Sequence, residues 1–411
     1  MIALEPAPAP VPEKVMPMFA RLPQPRKAAA RLVALFSMFW LAACQPIVAT
    51  GPVSDAQRVT AGAPVKVALL VPAGSSSQGD ALVAANLENA ARLAIDDLSD
   101  VEIEMKVYPT AGDPGRAAQA ATTAVAEGAQ IILGPLYAEA ANAAGVAVSN
   151  QGINVLAFSN NPTIAGGNVF VLGSTFANTA NRLVRYGMRN GIQRYAVAYG
   201  NDLQGTIGRD AIVNAVNGAG GAVAGTQAYE LSQAGVQAAA PRVAETVRST
   251  GATGVFTTAG VNADLPILAT ALNDAGITPQ QARMLGLTRW DAAPQALALP
   301  GLQNGLFAVS DTARNRGFEQ RYAATYGAQP HPLAGLAYDG IAAIGALAAT
   351  GRADALTRNA LTQSQGFKGT SGIFRLLPDG TNQRGLAVAT IRNNQVVILD
   401  PAPTSFRGAG F

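Results

Sequence analysis

Short apolar runs separated by longer stretches of helical periodicity dominate this chain. Val65-Lys66-Val67-Ala68-Leu69-Leu70-Val71 is almost continuously apolar, as a strand buried on both faces must be, and it runs into Pro72-Ala73-Gly74-Ser75-Ser76-Ser77. The pattern then predicts a helix over 80–97, a strand over 101–108, a helix over 114–127 and a strand over 130–133. A helix over 137–150 leads to a strand over 154–158. Alternation of this kind predicts a parallel sheet covered by helices on both faces.

The alternation restarts further on. Strands over 195–199, 222–229, 254–257 and 283–287 alternate with helices over 202–216, 236–250 and 262–275. Two such sets, joined near 171–178, predict two similarly built lobes. The last hundred residues add helices over 318–326 and 333–349. Strands over 373–377, 386–392 and 396–399 follow, with turns at Pro378-Asp379-Gly380-Thr381 and Asn393-Asn394. These segments are expected to be shared back onto the lobes. The predicted fold class is therefore α/β, two Rossmann-like lobes. Lobe 1 takes about 64–175 and 311–365, and lobe 2 about 176–310 and 366–405.

The N-terminus follows a different logic. Arg21, Arg26, Lys27 and Arg31 precede an apolar run, 32–41, too short to span a bilayer. A basic segment, an apolar core and small residues at a cleavage point make a secretory signal. The Pro-rich stretch ahead of Arg21, with Glu5 and Glu13, suggests a start at Met16 or Met18. Residues 45–63, rich in Gly, Pro, Ser and Thr, read as a flexible tether.

Charge and cysteine content then narrow the function classes. The chain has 29 basic and 26 acidic residues; residues 1–43 hold five and two of these, which leaves 24 of each beyond them. Nucleic-acid binding loses its electrostatic footprint. With a single cysteine, Cys44, no intrachain disulfide can form. His331, the only histidine, lies between Pro330 and Pro332 and reads as a surface loop residue rather than a base. No Ser-His-Asp set, metal-ligand cluster or phosphate-cradling motif is visible. Gly218–Gly221 follows a helix and precedes a strand, the wrong order for a dinucleotide fingerprint. The chain reads as non-enzymatic and without a cofactor.

Leu41-Ala42-Ala43-Cys44 resembles a bacterial lipobox. In lipoproteins of that kind the signal peptide, here residues 1–43, is cut before the cysteine, which carries the acyl chains. Gln45 carries no acidic retention signal of the enterobacterial type, and the resemblance implies the periplasmic face of the outer membrane, with the lipid anchor as the membrane contact.

Beyond the tether the sequence resembles the type I periplasmic-binding-protein fold, in its leucine-binding-like branch, over nearly all of 64–402. The resemblance is carried by Val67–Pro72 ahead of the Ser-rich loop, Ile131-Ile132-Leu133-Gly134-Pro135-Leu136 and Asn154-Val155-Leu156-Ala157-Phe158-Ser159. It continues through Tyr199-Gly200-Asn201-Asp202, Gly335-Leu336-Ala337-Tyr338-Asp339-Gly340 and Gly366-Phe367-Lys368-Gly369-Thr370-Ser371-Gly372. This likeness implies a ligand cleft between the lobes. Carried onto this chain, the cleft positions are Ser75–Ser77, Gly134–Tyr137, Ser159, Asn160 and Thr163 on the first lobe. On the second they are Tyr199–Asp202 and Thr258–Gly260, with Tyr199, Asp202 and Gly260 as its candidate residues.

Hydroxyls and exposed N–H groups there suit a carboxylate or sugar oxygen. An amino-acid ligand also needs an acid for its ammonium, for which Asp202 and Asp291 are the nearest choices, although Asp202 reads more simply as a helix cap. Ser75–Ser77 also reads as a plain turn, Tyr137 and Tyr199 as core aromatics, and Trp290 and Phe307 as core.

A lipid-anchored protein of this fold is most similar to the penicillin-binding protein activators, although the helical-repeat domain of some members has no counterpart here. That resemblance implies a regulator whose partner is a bifunctional peptidoglycan synthase, a class A penicillin-binding protein. The alternative is a lipid-anchored solute-binding protein of an ABC transporter for branched-chain amino acids or related amides. A small amino-acid-like ligand is compatible with either.

Overall fold

The computed structural model describes residues 55–407. The expectations for Cys44, the signal peptide and the tether up to residue 54 lie outside them. Among the described residues no helix is long and apolar enough to cross a membrane.

The first lobe is a parallel sheet in the order β2-β1-β3-β4-β5. It is built from β1 (Val65–Val71), β2 (Ile103–Pro109), β3 (Ile131–Leu133), β4 (Val155–Ala157) and β5 (Val169–Val171). Helices α1 (Asp80–Asp96), α2 (Pro114–Ala126) and α3 (Ala138–Val148) connect the first four strands. The central strands bury every residue or nearly so, which is why their runs read as uninterrupted apolar segments. α2 starts where Asp113 accepts the Arg116 N–H at 2.8 Å and Pro114 takes the first helical position. Alternate residues of β1 feed two cores, one on each face of the sheet. Leu69 and Val71 pack toward α1, whereas Ala68 and Leu70 pack toward α2 and α3.

The second lobe is a mixed sheet in the order β15-β14-β10-β9-β8-β6-β7. Its strands are β6 (Arg194–Gly200), β7 (Ala222–Tyr229), β8 (Gly254–Thr257), β9 (Arg283–Gly286), β10 (Leu306–Val309), β14 (Ala387–Arg392) and β15 (Gln395–Asp400). The helices are α4 (Phe176–Arg189), α5 (Leu203–Gly218), α6 (Gln233–Thr250) and α7 (Leu265–Asp274). The last two strands pair antiparallel, through the turn at Asn393 and Asn394, both at positive φ. Trp290 and Phe307 are fully buried in this lobe and stack with centroids 5.3 Å apart.

Helices α8 (Thr312–Tyr326) and α9 (Ala334–Ala348) return to the first lobe, where Phe318, Tyr322 and Ile341 join its core. A short helix, α10 (Arg358–Leu361), follows, then a small antiparallel sheet of β11 (Phe367–Gly369), β12 (Gly372–Leu376) and β13 (Asn382–Arg384). The chain thus crosses between lobes after β5, after β10 and after β13.

Two boundaries differ from the sequence expectation. The segment 366–384, assigned to the second lobe, belongs with the first, because Phe367, Phe374 and Leu376 enter its core. The expected tether ends earlier than residue 63: Val59 is buried, its N–H donates to the Ala353 carbonyl at 3.1 Å, and Gln57 Nε2 donates to the Leu356 carbonyl. Strands β5 and β10 were not expected, and neither were β11 and β13 of the small sheet.

Candidate functional site

A cavity of about 850 Å³ opens between the two lobes. Asp80, Tyr137, Phe158, Ser159 and Asn160 line it from the first lobe, Gln204 and Arg289 from the second, and Ser174, Ser310 and Arg384 from the crossings. Its first-lobe wall forms at the carboxyl ends of the parallel strands, where backbone groups point out of the sheet. Gly134, at φ +92°, makes that wall possible: a Cβ there would fall 2.2 Å from the Leu70 carbonyl oxygen. The Gly134–Pro135 peptide is cis, and the Pro135 carbonyl accepts the Phe158 N–H at 2.9 Å.

The candidates from sequence divide sharply. Tyr137, Ser159 and Asn160 come together on the cavity wall. Ser159 is buried, and its hydroxyl oxygen accepts the Asn161 N–H at 3.1 Å. The remaining candidates do not line the cavity. Ser75 Oγ accepts the Ser77 N–H at 3.0 Å, closing a local turn. Thr163 donates both its N–H and its hydroxyl to Asn161 Oδ1, at 3.0 and 2.8 Å. Tyr199 lies beneath the Arg209 guanidinium, 5.0 Å from its ring centroid. Asp202 Oδ1 accepts the Gly205 N–H at 2.7 Å and caps α5. The Gly260 N–H is donated to Asp264 Oδ1 at 2.7 Å. Asp291 pairs with Arg289, whose Nη2 lies 2.6 Å from its Oδ2, so Asp291 does not offer a free carboxylate.

Several residues that do form the site were missed. Arg289 reaches the cavity from the second lobe; its hydrogen bond to Asp291 holds its pKa above the ordinary guanidinium range, and the charge of Glu319 on the opposite lobe adds to this. His331, expected on the surface, is half-buried on the cavity wall. Its backbone N–H donates to Asn86 Oδ1 at 2.8 Å, and its Nδ1 accepts the Leu333 N–H at 3.2 Å.

Beneath the cavity lies the buried pair Asp339–Arg384, with Nη1 3.2 Å from Oδ2. Burial pushes the Asp339 carboxyl above its ordinary range, against the pull of Arg384 and Thr370. A lone acid on the otherwise largely apolar helix 334–348 is the sequence signal for this pair. Tyr137 donates its hydroxyl to Asp80 Oδ1 at 2.6 Å, and that bond raises the phenol pKa.

Chemically the arrangement is a recess of mixed polar and apolar lining, with the Asp339–Arg384 and Asp291–Arg289 pairs at its edges. It can bind and orient a small polar molecule. Among the described residues no group of three or more His, Cys, Asp or Glu side chains could hold a metal ion.

Comparison with known proteins agrees with this architecture. A family profile described as "Periplasmic binding protein" matches residues 64–395. No curated protein sequence matches the chain. Among solved structures, a Rhodospirillum rubrum protein assigned to branched-chain amino acid ABC transport superposes with a TM-score of 0.68 at 17% identity, over 82% of this chain and all of the other. A periplasmic ligand-binding protein of a branched-chain amino acid ABC transporter from Burkholderia xenovorans gives 0.61 at 16% identity, over 82% and 96%. A Desulfitobacterium hafniense substrate-binding protein in complex with Leu gives 0.58 at 16% identity, over 82% and 100%. At these identities the likeness establishes the fold: the type I periplasmic-binding-protein architecture, α/β with mixed sheets in two lobes.

Proposed function

The chain belongs to the periplasmic binding protein family, and from that premise we propose that it is a non-enzymatic solute-binding protein. It takes a small amino-acid-like ligand between its lobes and presents it to an ABC transporter. The carrying observation is the interlobe cavity of about 850 Å³, walled by Tyr137, Ser159, Asn160 and Arg289. That volume lies in the range of small-molecule sites, roughly 300–1,000 Å³. Lobes that meet through three crossings suit hinge closure around such a ligand.

Family membership places its work in the periplasm, and Cys44, if acylated, ties it to a membrane leaflet. Relatives of the same fold named for branched-chain amino acid transport favour this reading over regulation of a peptidoglycan synthase. The regulator reading keeps only the leader as support, and the same anchor serves a solute-binding lipoprotein equally well.

Isothermal titration of the full chain with L-amino acids, their amides and aromatic carboxylates tests the proposal. Saturable binding of at least one of them is expected. Absence of binding across the panel, together with saturable stimulation of glycan polymerisation by a class A penicillin-binding protein, would overturn it in favour of the regulator.

A further inference from the structure

At three helix starts in this chain an aspartate caps the helix that follows, whereas Asp80, the first residue of α1 after Gly79, does not. Asp113 and Asp202 each accept a backbone N–H from the first turn that follows, and Asp311 accepts two. Asp80 opens α1, yet that helix start has no side-chain cap. Its carboxylate belongs instead to the cavity wall, with the residue only 6% exposed. Oδ1 accepts the Tyr137 hydroxyl, while Oδ2 is buried and has no hydrogen-bond partner.

Comparison within the molecule shows how unusual this is. The second lobe has a Tyr–Asp pair of its own, Tyr229 on Asp264. There both oxygens are engaged, Oδ2 by the phenol at 2.5 Å and Oδ1 by the Gly260 N–H. The other buried acid among the described residues, Asp339, is compensated by the Arg384 charge and by Thr370. Asp80 has a neutral phenol and an unused oxygen. Burying a carboxylate without a cation is unfavourable, and the unmade hydrogen bond adds to that cost. A cation arriving from the cleft would remove both.

Space is available for one to reach it. Tyr137 is 38% exposed, and its ring lies against Gly112, where a Cβ would sit 3.0 Å from Cε2 and 3.8 Å from Asp80 Oδ2. We propose that Asp80 is the receptor for a primary ammonium group on the cleft's ligand, with Tyr137 swinging toward solvent as the ammonium takes its place on the carboxylate. Ligands that carry an amine are thereby selected over acids of the same skeleton. This assignment rests on the solute-binding reading and specifies its ligand class.

Titration calorimetry on the full chain with L-leucine, 4-methylpentanoate (the same skeleton without the amine) and benzoate tests it. L-Leucine should bind at least about tenfold more tightly than 4-methylpentanoate, the scale of one hydrogen bond to a charged group. Asp80→Asn should erase that preference. Tyr137→Phe, which removes the hydroxyl and leaves the carboxylate in place, should keep it. Circular dichroism checks that each variant is folded, and the wild-type and Tyr137→Phe ratios decide the matter if Asp80→Asn is not. Equal affinity of the wild type for L-leucine and either acid overturns the assignment and leaves solute binding standing; so does an undiminished preference in folded Asp80→Asn. No binding of any of the three overturns the assignment, and the wider titration panel then decides solute binding itself.

Discussion

Asp339→Asn is the most demanding test of how the lobes are held together. Asp339 Oδ1 accepts the Thr370 N–H at 2.6 Å and its hydroxyl at 3.0 Å, while Oδ2 faces Arg384 Nη1 at 3.2 Å. Arg384 also donates to the Leu172 carbonyl on the first crossing and to Ser371, and lies 5.2 Å from the Phe374 ring centroid. One guanidinium therefore joins α9, the first crossing and the small sheet that leads into the last crossing. Asparagine keeps the volume and an acceptor for Thr370, but removes the charge that Arg384 needs.

Breaking a buried pair from one side costs about 3–5 kcal/mol, because it strands the partner's charge. Arg384 retains its other contacts, which places the expected loss near the lower end, about 3 kcal/mol. Unfolding a domain of this length carries roughly 0.7 kcal/mol per kelvin of entropy, so Tm should fall by about 4 °C. The double variant Asp339→Asn/Arg384→Met removes the stranded charge and loses the bonds to Leu172, about 1–2 kcal/mol. It should therefore be more stable than Asp339→Asn alone. Urea unfolding followed by circular dichroism measures both. A single variant within about 1 kcal/mol of wild type, or a double whose loss is the sum of the two singles, refutes the stranded-charge argument.

Three further variants probe separate parts of the structure. Gly134→Ala forces a Cβ against the Leu70 carbonyl at positive φ, and should cost about 3 kcal/mol or more in urea unfolding; a loss below about 1 kcal/mol would mean the strand end can shift. Asp202→Ala should cost about 1 kcal/mol of stability and leave ligand affinity within about twofold, because the side chain caps α5. Unchanged stability with a large loss of affinity would return Asp202 to the ligand. Glu127 is held below its ordinary pKa of 4.5 by hydrogen bonds from Lys106 and Tyr108. Its contribution is present above pH 4.5 and lost as pH falls through the lower folded-state value. The Tm gap between wild type and Glu127→Gln should therefore close on acidification, and a gap that stays constant with pH contradicts the pairing.

The fold was legible because burial on both faces of a parallel sheet writes itself into sequence as apolar runs such as 65–71, and the stretches between them carry helical periodicity, some with a capping Asp or Ser at the start. What escaped is irregularly placed or long-range. β5 and β10 stand at the crossings, where strand and helix stop alternating regularly, and so fall outside the pattern that revealed the others. The placement of 366–384 depended on where Phe367 and Phe374 find a core, and that core is assembled from segments as far apart in the chain as Val65, Phe170 and Ile341.

The site was harder for a different reason. Ser75, Thr163, Asp202 and Gly260 stand in loops or turns, and Tyr199 near the end of β6, in the right order along the chain, but polar groups there have two outlets: a neighbour in the chain or the cleft. Here Ser75, Thr163 and Asp202 bond to groups within three residues, Gly260 to Asp264 four residues on, and Tyr199 to Arg209. A local bond closes with little chain entropy to lose, so it is the default for a short polar side chain at a turn or cap. A local bond does not by itself decide the outcome, since Ser159 accepts the Asn161 N–H and still lines the cavity; position in the fold does, and that cannot be read from residue type. Asp80 and Asp202 both stand at helix starts in strand-to-helix loops. Only the three-dimensional arrangement shows that the Gly205 N–H in the first turn of α5 holds Asp202, whereas Asp80 is held by Tyr137 from another loop and keeps one oxygen free. The distinction between a cap and a binding group is thus a property of the second partner, and in this cleft the second partner is Tyr137.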